Sequence, residues 1–544
     1  MKSKSRQKIS EIAETDQQEG IKVKFNIDKQ RAIKYSFEID SVYFDFSKTY
    51  ISEELISEYI DFANDIEFKD KRQQFLSGEK INSSEGRSVL HTLLRDSKNQ
   101  GIAVQETEVL KQAEQSEQQF LQRYKNILTK LEQREQAITD IIHVGIGGSS
   151  LGTQLLFESL VDLNAQINVH FISNVDAHKL VSVLSRCHVK TTLVIGVSKT
   201  FSTAETLQNI NTIGAWFEEK GVKNWKEEVY AVTSNPQNAF EFGVVEDNVV
   251  EFPEWVGGRY SVWSAVSLSA VIVIGIEKFK EFLAGAAKMD QHFYSAELSS
   301  NVCFIAAILD HYCANFLNVK SKAIFAYDHR MRSLVDYLQQ LETESNGKDR
   351  QVDGSPVEQL TSMVVWGGVG TDVQHSVFQM LHQGTSIIPS EFILVKQAEH
   401  DLDEHHQELL ANGLAQTAAL LAGQNLETIK QLNNGKELSE LEMKAKIFSG
   451  ERPSMTFLLE RLTPYSLGLL LAFYEHRTYC GGIFTNINSF DQMGVELGKR
   501  LAKSIRPLLG SEELVDEAQI TDIKKKFDAS TLNLLNKLTT KSGH

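Results

Sequence analysis

The sequence predicts an α/β protein. It reads as a helical N-terminal arm, an α/β unit, a second α/β unit and a helical tail. Three observations carry this. Short apolar runs recur from Asp140 to Ile146 (DIIHVGI), then as INVHFIS, TTLVIGV and EEVYAVT, with helix-length segments between them. Strands alternating with helices argue for a parallel sheet covered on both faces. A second set of candidate strands follows, KAIFAYD, SMVVWGGVG, EFILV, PSMTFLL and GIFTNIN, with helical stretches such as HHQELLANGLAQTAALLAG among them. Finally, 544 residues are enough to bury more than one sizeable core.

In chain order, the first twenty residues are polar throughout and lack the apolar centre of a signal peptide. The region from Gln105 to Gln136 predicts a long amphipathic helix. Val109, Leu110, Ala113, Phe120, Leu121, Tyr124, Ile127, Leu128 and Leu131 recur at three- and four-residue steps. The longest apolar run, Ala265 to Ile276, is shorter than the roughly 20 residues of a membrane span and predicts a buried helix. Hydrophobic residues make up 42% and charged residues 24%, a globular balance. The net charge of -16 is a poor match to nucleic acid or anionic lipid, though it permits a local basic pocket. Cys187, Cys303, Cys313 and Cys480 are scattered without CxxC spacing, which favours a reducing compartment. The expectation is a soluble cytoplasmic protein with no nucleic-acid or membrane partner.

Open parallel sheets bind ligands outside the carboxyl ends of their strands, so the residues just after each run are the candidates. Gly145-Ile-Gly147-Gly148-Ser149-Ser150-Leu-Gly152 follows the first run and precedes a predicted helix. Its glycines let the backbone approach an anion, and the helix N-terminus supplies free N–H groups. It lacks the GK[ST] ending of a P-loop. A sugar phosphate, a dinucleotide and a purely structural turn all remain open here. Asp176, 24 residues after Gly152, mimics a ribose-binding acid, while Ser150 stands at the third-glycine place of a dinucleotide fingerprint. Ser198-Lys199-Thr200-Phe201-Ser202-Thr203 follows TTLVIGV, and five of its six side chains can donate hydrogen bonds. Such a cluster either caps a helix or, with the first turn, closes around one phosphate dianion.

Further along, Val256-Gly-Gly258-Arg259-Tyr260-Ser261 sets bare backbone beside a guanidinium, which either forms an ion pair or faces an oxygen that becomes negative during reaction. Gln340-Leu-Glu342-Thr343-Glu344-Ser345-Asn346-Gly347-Lys348 lies where a helix should end. Glu342 and Glu344 cannot share one helix face, so one can point inward, where desolvation strengthens a base. The alternative is a solvated helix end. His375, after Gly367-Gly368-Val-Gly370, and Lys499, after Phe490-Asp491-Gln492, each have a bland structural reading as well. Glu399-His400-Asp-Leu-Asp403-Glu404-His405-His406 looks like a metal cluster. However, His400 and His405 are five apart and the stretch leads into a helix, so it reads as a polar loop and no metal site is expected.

Taken together, these segments resemble the glucose-6-phosphate isomerase (phosphoglucose isomerase) family. The resemblance runs from FSKTYIS at Phe46 and GEKINSSEGRSVLHTLLR at Gly78 to Lys499. It is carried by VGGRYSVWSAVSLS, TESNGK, TDVQHSVFQMLHQGT and GGIFTNINSFDQMGVELGK. It implies two sugar-isomerase (SIS) type subdomains, each a parallel sheet flanked by helices. The division would be an arm over 1–110 packing on the second subdomain, a first subdomain over 111–285, a second over 286–505 and a tail over 506–544. It implies substrates, glucose 6-phosphate and fructose 6-phosphate, and a homodimer whose active site is completed across the interface. It also implies roles. Gly148, Ser149, Ser198, Lys199, Thr200 and Thr203 would hold the phosphate, and Gln340 and Gln492 would contact substrate. Glu344 would carry the proton between C2 and C1, Arg259 would stabilise the enediolate, and His375 with Lys499 would assist ring opening. No cofactor is implied. The departures are Thr343 for a common methionine, Ser150 for a common aspartate, Ala-His rather than Gly-Thr after Asp176, and Met493 for a common tryptophan.

Overall fold

The structure, a computed structural model, describes residues 3–96, 107–432, 438–509 and 525–539. The chain divides into two compact units, Met1–Phe490 and Asp491–His544. In the first unit the strands are β1 (Ser36–Ile39), β2 (Val42–Asp45), β3 (Asp140–Val144), β4 (Asn168–Ile172), β5 (Thr192–Val197), β6 (Val229–Thr233), β7 (Val249–Glu251), β8 (Ser321–Tyr327), β9 (Val364–Val369), β10 (Ser390–Val395) and β11 (Ser454–Leu459). They form two sheets, ordered β4-β3-β5-β6-β7 and β1-β2-β11-β10-β8-β9. The first sheet is parallel throughout. In the second, β8 to β11 are mutually parallel, and the β1–β2 hairpin joins antiparallel along β11. Every residue of β5 and β10 is buried, as expected of strands covered by helices on both faces.

The predicted runs at β3, β4, β5, β6, β8, β9, β10 and β11 are strands. The amphipathic helix spans Thr107–Glu132, with Gln105 and Glu106 outside the described residues. The apolar run after Ala265 contains the buried helix Leu268–Ile274. One reading is corrected. GIFTNIN is not a strand, because its first residues complete the helix Pro464–Thr485, which Asn486 closes in the left-handed conformation at φ 55°. That helix starts on a Thr463–Ser466 capping box with Pro464 in its first turn. It is buried almost all round, so it has no polar face to show a helical period. It crosses the helix Ile276–Ser295 at backbone contact: a Cβ on Gly285 or on Gly468 would sit 1.9 Å from the facing carbonyl oxygen.

The N-terminal segment is helical but also supplies the β1–β2 hairpin to the second sheet. In the second unit, the helices Glu496–Leu509 and Ala529–Thr539 are described. The predicted tail otherwise falls on residues 510–524 and 540–544, outside the described residues. Among the described residues no helix is long and apolar enough to cross a membrane.

Candidate active site

The strand order of the first sheet reverses at β3: β4 lies to one side and β5 to the other. The crevice of such a sheet opens at the carboxyl ends of β3 and β5. The turn after β3 enters the helix Leu151–Leu160, and the turn after β5 enters the helix Ala204–Glu219. Neither helix has its first N–H groups bonded by its N-cap side chain, Ser150 in one case and Thr203 in the other. The two donor-rich turns are therefore neighbours, and both present uncapped helix starts, the arrangement that suits an anion.

Packing sets the first turn. Gly147 has φ 57°, and its Cα lies against the Gln340 amide. A Cβ on Gly148 would be 2.2 Å from the carbonyl carbon of Gly258 and 2.6 Å from the nitrogen of Arg259, so backbone meets backbone there. The Ser261 hydroxyl donates to the Gly148 carbonyl at 3.1 Å. Beneath the turn, His143 is wholly buried, with Nε2 2.7 Å from the Ser149 carbonyl and Nδ1 2.7 Å from Ser269 Oγ. Burial pushes its pKa down to about 4, so the ring is neutral. A carbonyl only accepts, so Nε2 carries the hydrogen and the serine hydroxyl donates to Nδ1. Nothing in the sequence around DIIHVGI singled out this support, because a histidine inside a strand carries no motif.

In the second turn the hydroxyls pair with one another. Ser198 Oγ and Thr203 Oγ1 are 3.0 Å apart, and Thr200 Oγ1 and Ser202 Oγ are 2.8 Å apart. The Lys199 carbonyl is pinned by the hydroxyls of Thr233 at 3.0 Å and Ser234 at 2.7 Å, just past β6. The Lys199 ammonium donates to the Val256 carbonyl at 3.1 Å, and burial lowers its pKa. The segment from Val256 to Ser261 thus touches both turns.

The same segment carries Arg259, which is 2% exposed. Its Nε donates to Ser345 Oγ at 2.6 Å and its Nη2 to the Ser489 carbonyl at 2.7 Å, while Nη1 lies 3.7 Å from Glu344 Oε2. Gln340, one turn back on the helix Leu334–Asn346, donates from Nε2 to the same Glu344 oxygen at 2.8 Å. The two glutamates part as their spacing requires. Glu344 is partly exposed at the crevice. Glu342 is buried on the opposite side, 2.6 Å from Lys322, in a group with Asp310, Glu391 and Arg477. Burial pushes the Glu342 carboxyl up, against the pull of Lys322. Asn346 donates to the Thr478 carbonyl at 2.7 Å and accepts from the Ser489 hydroxyl at 2.7 Å. Gly148, Ser149, Arg259, Gln340 and Glu344 therefore share one crevice, with Ser198, Lys199, Thr200 and Thr203 on the adjoining turn.

The remaining expected residues are on other elements. His375 is exposed in the first turn of the helix Gln374–Gln383 after β9, and among the described residues no hydrogen bond ties it to Glu344 or Arg259. Gln492 and Lys499 belong to the Asp491–His544 unit. There Gln492 precedes a short turn, Met493–Val495, and the exposed Lys499 pairs with Glu496 at 2.9 Å. The stretch after His400 enters the helix Asp403–Ala422.

A glycine-rich turn, a lysine-bearing hydroxyl turn and a glutamate–arginine pair meet at one crevice. The model of the phosphoglucose isomerase family matches residues 45–535. The chain belongs to the phosphoglucose isomerase family. It is 38% identical to a glucose-6-phosphate isomerase of Francisella philomiragia, over 97% of this chain and 98% of that one. It is 41% identical to a glucose-6-phosphate isomerase of Novosphingobium aromaticivorans, over 88% and 90%. The crystal structure of a glucose-6-phosphate isomerase from Chlamydia trachomatis superimposes with a TM-score of 0.84 at 28% identity, covering 99% of each chain. As a phosphoglucose isomerase family member, the chain accounts for residues that the sequence alone left without a role. Ser345 holds the guanidinium and Asn346 the Ser489 loop, and both lie inside TESNGK, the motif that had pointed only to Glu344.

Proposed function

We propose that this chain interconverts glucose 6-phosphate and fructose 6-phosphate through ring opening and an enediolate, as a step of glycolysis and gluconeogenesis, with Glu344 as the base. The observation that carries this is the Glu344 carboxylate, held by Gln340 and facing Arg259 across 3.7 Å, beside two neighbouring turns rich in hydrogen-bond donors. The phosphate sits on the turns of Gly148 and Ser149 and of Ser198, Lys199, Thr200 and Thr203. Remote from the reacting carbons, it supplies binding energy that positions them.

An aldose and its ketose differ by one hydrogen moved between C2 and C1, with the oxygens adjusted. Glu344 removes the C2 proton as the carbonyl oxygen at C1 gains charge; the hydroxyl proton on O2 passes to O1, and Glu344 then returns its proton to C1 as the carbonyl forms at C2. No electrons leave the substrate, so the reaction calls for no redox or nucleotide cofactor. Arg259 stabilises the enediolate charge, since a fixed cation in a buried site costs no reorganisation during the step. Gln340 orients the carboxylate. His375, from the partner subunit of a homodimer, and Lys499 assist opening of the ring at its oxygen and anomeric hydroxyl. Gln492 contacts substrate. Family membership supports these last assignments, the dimer and a cytoplasmic location.

The test is conversion of fructose 6-phosphate to glucose 6-phosphate by the purified protein with EDTA present. The unmodified enzyme turns over rapidly, whereas Glu344→Gln loses about 10³-fold or more in kcat with substrate binding retained. Near-normal kcat in Glu344→Gln removes Glu344 as the base.

A further inference from the structure

We propose that Ser345 and Tyr260 are positioning residues that set the Arg259 guanidinium against Glu344, an inference that rests on the reading above. A guanidinium on a flexible stem can tilt and slide, and catalysis needs one edge of it fixed where charge develops. Here two anchors hold the other edges. Ser345 Oγ accepts from Nε at 2.6 Å and the Ser489 carbonyl accepts from Nη2 at 2.7 Å. Nη1 is the nitrogen 3.7 Å from Glu344 Oε2. Ser345 is also the residue after the base, on the same helix, so one rigid backbone sets the carboxylate and the cation that faces it.

Tyr260 closes the arrangement. Its hydroxyl lies 2.8 Å from Ser345 Oγ and 3.3 Å from the Ser489 carbonyl, touching both anchors of the guanidinium. The hydrogen bonds run in one consistent direction. Arginine donates to Ser345 and to the Ser489 carbonyl, Ser345 donates to the tyrosine oxygen, and the tyrosine hydroxyl donates to the Ser489 carbonyl. The phenol ring is itself held, stacked on His91 at 4.7 Å and tilted against Phe490 at 5.5 Å. Arg259, Tyr260, Ser345 and Ser489 are each 2% exposed or less, so water cannot substitute for a lost hydroxyl. Neither hydroxyl needs to touch substrate to act.

The experiment is a cycle on the full-length enzyme with fructose 6-phosphate. Ser345→Ala and Tyr260→Phe, which keeps the ring stack, each lower kcat about ten- to a hundredfold with KM within about threefold. In an Arg259→Lys background, where the fork is already gone, Ser345→Ala costs less than about threefold more. A purely structural role gives a different result. The Ser345→Ala loss is then as large in the Arg259→Lys background as in the unmodified enzyme, or the thermal midpoint falls while kcat per folded molecule stays within about twofold, and either result overturns the proposal. Tyr260→Phe gives the reading if Ser345→Ala does not fold. Glu344→Gln, run alongside, separates the two readings. Turnover surviving there overturns the base assignment, whereas the dependence of Ser345 on Arg259 is read from the cycle alone.

Discussion

A single methyl group at Gly148 tests whether the glycine-rich turn, proposed to hold phosphate, and Arg259, proposed to stabilise the enediolate, are mechanically joined. In Gly148→Ala the new Cβ meets the Gly258 carbonyl carbon at 2.2 Å, its oxygen at 2.4 Å and the Arg259 nitrogen at 2.6 Å, where ordinary contact begins at 3.4 Å. None of these atoms belongs to a flexible side chain. Relief therefore moves backbone by about 1 Å, and the moving segment carries Arg259. Overpacking of this kind costs about 1–3 kcal/mol. A misplacement of about 1 Å at a catalytic group costs about a hundredfold in rate. The expected outcome is a kcat about a hundredfold lower, a raised KM for fructose 6-phosphate and a measurably lower thermal midpoint. Turnover is read in a coupled assay and stability by calorimetry. A Gly148→Ala enzyme with kcat within about threefold of normal and an unchanged midpoint would refute the claim that this backbone contact sets the site.

Other perturbations separate the parts. Lys199→Ala raises KM about tenfold or more with a smaller change in kcat, as the proposed phosphate site requires of its ammonium; an unchanged KM removes it from that site. Lys322→Met leaves the carboxylates of Glu342, Asp310 and Glu391 with Arg477 as the cation facing them and costs about 3–5 kcal/mol by chemical denaturation; an unchanged midpoint contradicts the buried ion group. Acid sensitivity follows from the buried histidines. Burial holds His143 and His311 down to about 4 in the fold, below the ordinary 6.5. The unfolded chain therefore binds more protons between those values, and stability falls as pH drops from about 6.5 through about 4, by on the order of 3 kcal/mol for each ring. His143→Gln should remove about one proton from that slope in denaturation curves taken across the window, and an unaltered slope contradicts the buried neutral ring.

Much of this was readable from local chemistry. β5 is buried throughout and β3 from Ile141 onward, so both read as short, mainly apolar runs, and the turns that follow are rich in glycine and hydroxyl groups. The spacing of Glu342 and Glu344 already required them to part, although only the structure shows that Glu342 takes the buried side. What failed was periodicity in places where burial erases it. The last turn of Pro464–Thr485 has no exposed face, and its isoleucine and threonine read as strand. The four-residue strands of the β1–β2 hairpin are too short to establish alternation, and their turn runs through Asp40 at φ 48° with no glycine to announce it. His143, Tyr260 and Ser345 act through neighbours distant in sequence, so no local pattern could mark them.

The helix Leu334–Asn346 is keyed on both sides. Glu342 is clasped by Lys322 on one side, and Glu344 projects into the crevice on the other. A turn about the axis that drove the base further toward a bound sugar would tear Glu342 from its lysine and drag Ser345 away from the guanidinium. The shaft cannot spin. Any approach of base to carbon must come from the sugar sliding along the crevice or from the carboxylate swivelling about its own side-chain bonds. With Glu344 as the proposed base, the proton's travel is then set by the reach of one short arm on a fixed post, an arm that serves C2 and C1 in turn.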